Sequence, residues 1–425
     1  MSAIFTKEFK EVKTTEKIKT ENQKKKKRKK TKIKLIILFF LLFFASAAVA
    51  LWYFWDEPLL SPLSSLTTFQ FLEGVYQPKA KEKKVVYGFL PYWNLNSVTI
   101  QPETTHLSYF SLGVGADGNI VTHNDDGTLM PGYHKLNSDK LAELSNLVNN
   151  SNGKVEITLT QFNGEDTLAF IADEEAHHNL INSLDSILLA YPVSGVNIDI
   201  EYAGEVDDEL REKFANFIKK LNQHLDTKYK NVKLSIDMFA SASRGKMIWD
   251  TRKIGQEVDY IIVMAYDFHR PSSPQAGPVA PLFGGNNLWE HDINQNLRTF
   301  IQKVPREKIL LGVPFYGYEW QTDSTEPQAN TYPNTGGTAS YKRVQKILEQ
   351  KEELQVEEHW HETALSPYLT YIEDEKIYIV YYENARSLAY KLDYVNQLDL
   401  GGIAIWALGY EGDTRALWDV VADKL

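Results

Sequence analysis

Eight short apolar runs between residues 85 and 409 constrain the fold of this chain more than any other feature of its sequence. They lie at residues 85–93, 107–114, 155–160, 196–201, 234–240, 260–267, 309–317 and 402–409. Amphipathic segments such as residues 207–225, with apolar side chains at helical spacing, separate several of these runs. Strands that alternate with helices indicate a parallel sheet, and eight of them predict an α/β fold of the (β/α)₈ barrel type.

The length of the chain agrees with this fold if one interval, between the last two apolar runs, is an insertion and is not counted. Residues 85–425 comprise 341 positions, and the interval 321–400 between the seventh and eighth runs holds 80 of them, leaving 261. A typical TIM barrel has about 250 residues. The interval contains a helical segment preceded by Ser340 and two aromatic runs, YLTYI and IYIVYY, on either side of the turn EDEK. We therefore predict a barrel over 85–425 with a small α+β insertion at about 321–400, between strands 7 and 8.

The first 55 residues have the composition of a membrane anchor. Residues 1–34 hold 14 Lys and Arg against 4 Asp and Glu, and residues 35–55 follow without a charge. A helix of this length spans a hydrocarbon core of about 30 Å, and the preceding cations favour a cytoplasmic N-terminus. We therefore predict a basic cytoplasmic tail (1–34), a single transmembrane helix (35–55) and a linker (56–84). The barrel would then be extracytoplasmic, anchored to the cell membrane.

A cleaved signal peptide is the alternative for the same segment. The sequence ASAAVA at 45–50 offers small residues of the kind at which signal peptides are cut. Against cleavage, the basic region is long and the apolar stretch continues through Trp55, with Trp52 and Tyr53 placed to anchor at the outer membrane interface. We therefore favour the retained anchor.

The charge and cysteine content of the remaining chain exclude several classes of site. Residues 35–425 carry a balance of −20 between acidic and basic side chains. Nucleic-acid binding needs clustered cations that neutralise phosphates, so nucleic acid is not expected as a partner. The chain has no cysteine, which excludes disulfides, thiolate metal sites and a cysteine nucleophile.

Two short motifs resemble ligand sites but lack the context that such sites need. The sequence GVGADG at 113–118 fits G-x-G-x-x-G, yet the polar residues after it open no helix, so we predict a loop or hairpin. The sequence HWH at 359–361 is the nearest approach to a metal-ligand pattern, but no other ligand cluster lies nearby, and we interpret it as an exposed segment. Neither motif therefore predicts a phosphate site or a metal site.

The fourth apolar run has a polar face. In SGVNIDIE, residues 194–201, the polar residues Asn197, Asp199 and Glu201 alternate with aliphatic ones. Successive strand side chains point to opposite faces, so the three polar groups share one face. Taken alone, this pattern indicates an ordinary strand with its aliphatic face buried and its polar face exposed to solvent. On a barrel strand it predicts a column that rises toward the C-terminal mouth, where active sites of such barrels form, with Glu201 nearest the mouth.

Other predicted strand ends contribute aromatic and acidic side chains to the same mouth. These are Tyr92 and Trp93 on the first strand, Tyr266 and Asp267 on the sixth, Tyr316 on the seventh and Trp406 on the eighth. Aromatic rings stack on the faces of sugars. A carboxylate among aromatic walls is disfavoured as an anion, which raises its pKa and suits it to donate a proton near neutral pH.

Three segments together resemble glycoside hydrolase family 18, the chitinase and N-acetylglucosaminidase family. SGVNIDIE resembles the signature D-G-x-D-x-D-x-E, with Ser194 and Asn197 at the first two acidic positions and Asp199 and Glu201 at the last two. MAYD at 264–267 resembles the sixth-strand motif M-x-Y-D, and Trp406 resembles the eighth-strand tryptophan of the pocket floor. The resemblance covers about residues 85–425. Residues 381–409 are similar to the branch of bacterial cell-wall and spore N-acetylglucosaminidases.

The resemblance implies substrate-assisted hydrolysis with retained configuration, which needs no metal ion and no organic cofactor. The carbonyl oxygen of the substrate's own N-acetyl group attacks the anomeric carbon, while Glu201 protonates the leaving oxygen and later acts as base toward water. Asp199 would hold the acetamide N–H, Tyr266 would bond the acetamide oxygen, and Asp267 would help to position the sugar. Further substrate-binding candidates are Asn197, Met264, Tyr316, Trp406, Tyr92 and Trp93.

The chain departs from the family signature at two positions. Ser194 replaces an acid far from the reacting bond, where the loss is tolerable. Asn197 matters more, because an acid at that position can share a proton with Asp199 and help it turn toward the substrate. An amide can still donate a hydrogen bond to Asp199, so we expect Asn197 to alter the pH dependence without abolishing activity.

The sequence thus predicts a membrane-anchored retaining glycosidase that hydrolyses β-linked N-acetylglucosamine polymers, with peptidoglycan favoured over chitin. A second hypothesis is a lectin-like barrel that binds carbohydrate with little turnover, which Asn197 motivates. A third is a membrane-tethered scaffold whose insertion binds protein. The intact Glu201 favours the enzyme over the lectin, and the scaffold leaves the inward polar column without a role.

Overall fold

The computed structural model describes residues 83–425, and within them the chain forms thirteen β-strands and ten α-helices. The strands are β1 (Val85–Pro91), β2 (His106–Gly113), β3 (Lys154–Gln161), β4 (Gly195–Ile200), β5 (Lys233–Phe239), β6 (Tyr260–Met264), β7 (Ile309–Pro314), β8 (Tyr316–Thr322), β9 (Gly337–Ser340), β10 (Glu357–His361), β11 (Ser366–Glu373), β12 (Lys376–Tyr381) and β13 (Gly402–Trp406). The helices are α1 (Pro131–Lys135), α2 (Asp139–Asn150), α3 (Gly164–Ala172), α4 (Glu174–Ala190), α5 (Asp208–Lys228), α6 (Thr251–Glu257), α7 (Ile293–Phe300), α8 (Tyr341–Glu349), α9 (Ala385–Gln397) and α10 (Ala416–Lys424).

Eight of the strands close into a parallel barrel in the order β1-β13-β7-β6-β5-β4-β3-β2. An α-helix lies in every connection between successive barrel strands except that from β1 to β2, which holds only a short 3₁₀ helix (Tyr92–Asn94), and the predicted (β/α)₈ barrel is confirmed. Every residue of β4 and β7 is buried, because side chains fill the barrel on one face and helices cover the other. The predicted runs extend up to three residues past the observed strand ends, as for β6, which ends at Met264.

Helix α5 illustrates how the outer layer forms. The side chain of Asp207 accepts a hydrogen bond from a backbone N–H of the first turn and caps the helix. Phe214, Phe217 and Leu221 recur at helical spacing and are fully buried. The helix predicted over 207–225 is therefore present, and it runs three residues past the predicted end.

The inserted unit is larger than the sequence indicated. It contains a five-stranded sheet in the order β10-β11-β12-β8-β9, and it begins at Tyr316, directly after β7, rather than near residue 321. The predicted hairpin is present as the antiparallel pair β11 and β12, and Ser340 caps α8 as expected. The interval predicted to end at 400 also contains α9, which packs against the barrel helix α10 and strand β13.

The segment HWH is not the exposed segment that we predicted. Residues 359–361 belong to β10, an outer strand of the inserted sheet that pairs with β11, and their side chains are half-buried. The ring of His359 stacks on Tyr368 at 4.7 Å between centroids, and Arg386 lies over the Trp360 ring at 3.8 Å. The histidine pair therefore packs as part of a sheet.

The segment GVGADG forms a tight turn, as predicted. It leaves β2 at Gly113, and a bridge between Val114 and Ile120 closes a short hairpin. The next helix, α1, starts at residue 131, so no helix N-terminus stands over these glycines.

The predicted tail, transmembrane helix and nearly all of the linker lie in residues 1–82, outside the described residues. Over residues 83–425, no helix combines the length and the apolar character that crossing a bilayer requires.

Candidate active site

A pocket of about 430 Å³ opens at the C-terminal ends of the barrel strands. Its lining combines aromatic rings with acidic side chains: Trp93, Phe110, Phe162, Asp199, Glu201, Asp237, Phe239, Met264, Tyr266, Asp267, Arg270, Pro271, Tyr316, Tyr318, Thr338, Trp406 and Tyr410. Pockets with apolar walls and a few convergent polar groups are typical of small-molecule and saccharide sites.

Eight of the ten residues predicted from the sequence line this pocket, and two do not. Asn197 is fully buried beneath it. Tyr92 stands behind Trp93, with the two rings edge to face at 4.9 Å between centroids, and so supports the wall without forming it. Neither Asn197 nor Tyr92 therefore lines the pocket.

The structure adds lining residues that sequence reasoning missed. Phe110 and Phe162 come from β2 and the end of β3, and their rings stack at 6.4 Å between centroids. Asp237 comes from β5, where LSIDMF alternates polar and apolar residues in the same way as VNIDIE, so a signal for it was present. Arg270 and Tyr318 come from the loop after β6 and from β8, and their sequence neighbourhoods carry no comparable pattern.

The predicted polar column on β4 is present. Asn197 and Asp199 are buried within the strand, and Glu201 follows its last residue and is half-buried at the pocket. The column faces inward because the aliphatic residues Val196, Ile198 and Ile200 pack outward.

Asp199 and Glu201 share a side-chain hydrogen bond, and their pKa values are coupled through it. Burial raises the pKa of Asp199 well above its usual range, and the charges of Asp237 and Glu201 raise it further. Burial also raises the pKa of Glu201 to about 7, while the hydrogen bond from Asp199 and the charge of Arg270 work in the opposite direction. In this arrangement the pair keeps a proton near neutral pH, because burial disfavours the charged form of both carboxyls. The pair is therefore suited to proton donation near neutral pH.

Asn197 does not donate to Asp199, contrary to our expectation from the sequence. Its amide nitrogen donates to Asp237 Oδ1 at 2.9 Å and to Ser235 Oγ at 3.1 Å, which uses both N–H groups. The Oδ1 oxygen of Asp199 is buried without a hydrogen-bond partner. The amide thus orients Asp237, a carboxyl of the neighbouring strand, instead.

Asp267 is held by two tyrosines of β8, the strand of the inserted sheet that follows β7. Its Oδ1 accepts hydrogen bonds from the hydroxyls of Tyr316 and Tyr318, the latter at 2.8 Å. Its backbone φ of 61° lies in the left-handed region, which a non-glycine residue adopts at a cost of about 1 kcal/mol or more. This conformation turns the chain out of β6 and places Arg270, whose Nε donates to the Asp267 carbonyl at 3.4 Å, at the pocket wall.

Tyr266 occupies space that a glycine leaves open. A Cβ at Gly312 of β7 would lie 3.0 Å from Tyr266 Cε1 and 2.6 Å from the carbonyl oxygen of Val263. Burial raises the pKa of the Tyr266 hydroxyl well above its usual range, and the charge of Asp237 is the next contribution. The phenol is therefore a neutral hydrogen-bond donor over the physiological range.

The pocket floor and one wall are aromatic. Trp406, at the end of β13, contacts Phe110 at 4.6 Å between ring centroids, and Phe110 lies 6.2 Å from Trp93. Trp93 and Phe162 are about half exposed, at 50% and 54%, which leaves ring faces open to a ligand. The peptide bonds that follow Phe110 and Trp406 are both cis.

The donor set of the pocket does not form a metal site. No cluster of three His, Asp or Glu side chains between residues 83 and 425 has the geometry to hold an ion. Asp267 is engaged by tyrosine hydroxyls, and Asp199 and Glu201 are engaged with each other.

Known proteins of one family are similar in sequence to this chain. The family model described as glycosyl hydrolases family 18 matches residues 72–411. A cortical fragment-lytic enzyme of Bacillus anthracis is 22% identical over 317 residues, which cover 73% of this chain and 66% of that enzyme. The chain thus spans just under two thirds of the length of that relative. Chitinase A1 of Niallia circulans is 26% identical over 254 residues, which cover 53% of this chain and 36% of that enzyme.

Solved structures share the barrel fold. A Group IV chitinase of Ostrinia furnacalis superposes with a TM-score of 0.69 at 22% identity, covering 80% of this chain and 99% of that chain. The spore cortex-lytic enzyme SleL of Bacillus cereus superposes with a TM-score of 0.62 at 19% identity, covering 83% of this chain and 77% of that chain.

Proposed function

The chain belongs to glycosyl hydrolase family 18, and on that basis we propose that it is a retaining glycosidase that cleaves β-linked N-acetylglucosamine polymers with assistance from the substrate. The observation that carries the proposal is the hydrogen-bonded pair of Asp199 and Glu201 at the floor of an aromatic pocket. A sugar-binding barrel without turnover would not require a carboxyl whose pKa is raised to about 7 at that position.

The chemistry follows from the order of the groups in the pocket. The N-acetyl carbonyl oxygen of the bound sugar attacks its own anomeric carbon, and the glycosidic C–O bond breaks. The shared proton moves from Asp199 to Glu201, which passes it to the leaving oxygen. Asp199 is then an anion beside the acetamide N–H, where it stabilises the positive oxazolinium ring. Water opens that ring with Glu201 as base, and the configuration is retained.

Two neighbouring groups orient the sugar during these steps. The Tyr266 hydroxyl, neutral at physiological pH, donates a hydrogen bond to the acetamide oxygen. Asp267, held by Tyr316 and Tyr318, accepts from sugar hydroxyls. Trp406 forms an apolar floor for the sugar ring. Near-attack geometry of this kind is a major source of rate enhancement.

For the native polymer we propose peptidoglycan rather than chitin. The matched relatives include a cortical fragment-lytic enzyme. Among the described residues that line the pocket, Arg270 alone carries a positive charge, and it also borders an adjoining cavity of about 330 Å³. Peptidoglycan strands carry a carboxylate on every second sugar, directly or through a peptide, whereas chitin is uncharged. A guanidinium is well suited to bind such a carboxylate.

The proposal is tested by reducing-end release from two glycans of equal length, a peptidoglycan strand and a chitin oligomer. We expect turnover of both and a preference for the peptidoglycan strand that falls in an Arg270→Gln variant. Arg244→Gln is the matched control, because Arg244 is exposed outside the pocket. A preference for chitin would overturn the choice of polymer, and binding of both glycans without cleavage would favour the lectin-like barrel.

We further propose that residues 35–55 anchor the protein in the cell membrane, with the barrel extracytoplasmic. The uncharged stretch of 21 residues behind a basic tail supports this proposal. The full-length protein should remain in the membrane fraction after a high-salt wash, and its N-terminal peptide should be detectable there. A soluble chain that starts near residue 51 would identify the segment as a cleaved signal peptide instead.

A further inference from the structure

A side cavity of about 330 Å³ adjoins the pocket at the same end of the barrel. The two share one wall, which is formed by Phe239, Met264, Tyr266, Asp267 and Arg270. The remaining walls of the side cavity come from the loops that follow β4, β5 and β6 and from the residues that precede α7. Sites that enclose a whole small ligand have volumes of about 300–1,000 Å³. The side cavity is therefore large enough for more than a single functional group.

The lining of the side cavity differs from that of the pocket. The exposed rings of Trp93 and Phe162 and the floor ring of Trp406 line the pocket alone. Trp289 lines the side cavity, but its ring packs against two histidine rings and its Nε1 is buried. The polar side chains that belong to the side cavity alone are Ser241, Ser272, Ser273, Glu290 and His291. Such a lining suits a polar substituent of the glycan better than a further sugar ring.

The side cavity has opposite charges at its two ends. Arg270 lies in the wall shared with the pocket, and within residues 83–425 its guanidinium forms no ion pair. Glu290 lies away from that wall, with its side chain 88% exposed and the ring of His291 as its nearest cationic group, at 3.6 Å. A ligand with a carboxylate near the glycan and an amine farther out would pair with both charges.

The wall that carries Arg270 is held in place by the inserted unit. The buried Trp320 donates from Nε1 to the carbonyl oxygens of Arg270 and Pro271, each at 3.2 Å. The backbone N–H of Arg270 donates to Ser273 Oγ at 2.9 Å, and the hydroxyl of Thr331 donates to the Ser273 carbonyl oxygen at 2.6 Å. Because this segment is already ordered, binding a ligand there costs little conformational entropy.

We propose that the side cavity binds a short peptide carried by a sugar of the glycan, with Arg270 on a carboxylate of the peptide and Glu290 on its free amine. The peptides of peptidoglycan have both groups, because they contain an acidic residue and a diamino acid. The hydroxyls of Ser241 and Ser272 suit the amide groups of such a peptide, since a hydroxyl both donates and accepts. The inference rests on the proposed function and extends it, because the peptide as well as the sugar is recognised.

Three glycans of equal length test the proposal with the full-length protein. They are a peptidoglycan strand with its peptides, the same strand after an amidase has removed them and left the sugar-linked carboxylates, and a chitin oligomer. We expect kcat/KM for reducing-end release to be highest for the peptide-bearing strand. Arg270→Gln should lower kcat/KM for both peptidoglycan strands relative to chitin, because both carry carboxylates.

Glu290→Gln separates recognition of the peptide from recognition of a carboxylate. Loss of a rim charge that pairs with an amine should lower kcat/KM for the peptide-bearing strand about two- to fivefold relative to the stripped strand. Glu353→Gln is the matched control, because Glu353 is an exposed carboxylate of the inserted unit outside both cavities, and this variant should keep the wild-type ratio. A wild-type ratio in Glu290→Gln would overturn the role of Glu290.

A bulky side chain in the side cavity provides a steric test. Ser272 is exposed, and its hydroxyl makes no hydrogen bond within residues 83–425, so Ser272→Phe should fold. The ring should occupy the space of the peptide and lower kcat/KM for the peptide-bearing strand about tenfold relative to the stripped strand. Equal losses on the two strands would show that the peptide lies elsewhere and would overturn the proposal.

A binding measurement does not depend on turnover. Calorimetry on Glu201→Gln should give a lower dissociation constant for the peptide-bearing strand than for the stripped strand, and equal constants would overturn the inference. Cleavage of all three glycans by the wild type without preference for the peptide would overturn the inference and leave the proposed function in place. Tighter binding of the peptide-bearing strand without cleavage of any glycan would overturn the proposed function while supporting the role of the side cavity.

Discussion

Replacement of Glu201 by glutamine isolates the proton that the proposed reaction transfers. The amide is nearly isosteric with the carboxyl and can still accept the hydrogen bond from Asp199, so the pocket should keep its shape and its affinity for oligosaccharide. The variant lacks only the proton given to the leaving oxygen. General acid catalysis typically contributes about 10²–10⁴-fold, which corresponds to about 3–5 kcal/mol of transition-state stabilisation. We therefore expect kcat to fall by that factor and the dissociation constant to stay within about threefold.

The dependence of the rate on pH provides a second test of Glu201 as the acid. Burial raises the pKa of Glu201 to about 7, so the proton that the pair passes to the leaving oxygen is available below that pH and is lost as the pH rises through it. The wild-type rate should therefore be high at pH 6 and fall about tenfold per unit above pH 7. The residual rate of Glu201→Gln should lack this alkaline limb, because glutamine does not titrate.

Initial rates of reducing-end release between pH 5 and 9 measure both effects, and calorimetry on the same oligosaccharide measures the affinity. Glu205→Gln is the matched control: Glu205 is an exposed carboxylate in the same loop, outside the pocket lining, and its loss should leave the rate unchanged. A Glu201→Gln variant within threefold of the wild type at pH 6, or one that keeps the alkaline limb, would refute the assignment of Glu201 as the acid.

Three further predictions concern groups around the site and in the core. Burial raises the pKa of Glu156 in the folded state to about 7 from 4.5, so the stability that its protonated form provides is complete below pH 4.5 and is lost as the pH rises through 7. This loss amounts to about 3 kcal/mol in the free energy of unfolding, and urea unfolding of Glu156→Gln should not show it. A variant with the pH dependence of the wild type would contradict the titration of a buried Glu156. Lys391 donates to both oxygens of Glu383 at 2.9 Å, and both side chains are buried. Lys391→Met leaves the Glu383 carboxylate without its partner and should lower the free energy of unfolding by about 3–5 kcal/mol in the same assay. A decrease below about 1 kcal/mol would contradict the presence of an unpaired buried charge in the variant. Tyr318→Phe removes one of the two hydroxyls that donate to Asp267, and it should raise KM severalfold while kcat is largely kept. A fall in kcat at constant KM would instead show that Asp267 acts in the chemical step.

The barrel could be predicted from the sequence because its strands are buried on both faces. Such strands appear as near-continuous apolar runs, and all eight are present in the structure. Their ends were less predictable. Residues 265–267 continue the apolar and aromatic pattern of β6, but the chain has already left the ladder there and Asp267 adopts a positive φ.

The start of the insertion was also not predictable, because the apolar and aromatic pattern of β7 continues beyond the end of that strand. The run at 309–317 reads as one strand, yet β7 ends at Pro314 and β8 begins two residues later in a different sheet. Tyr316 and Tyr318 are thus pocket residues contributed by the inserted sheet, where their hydroxyls meet Asp267.

The polar column was predictable from alternation within β4, whereas its partners depend on contacts between strands. Whether Asn197 donates to Asp199 or to Asp237 follows from the register of β4 against β5, which a single sequence does not specify. Phe110 and Phe162 meet through the register of β2 and β3, and neither has a local pattern that marks it as a wall residue.

The most direct test of substrate-assisted cleavage compares two glycans of equal length that differ only in the N-acetyl group of the sugar whose linkage is cut. In the proposed reaction that group is the nucleophile, and Asp199, Tyr266 and Glu201 act around it. The N-acetylated glycan should be hydrolysed, with NMR showing the retained anomer as the first product, and the de-N-acetylated glycan should not be cleaved at that linkage. Undiminished hydrolysis of the de-N-acetylated glycan, or an inverted first product, would contradict the mechanism.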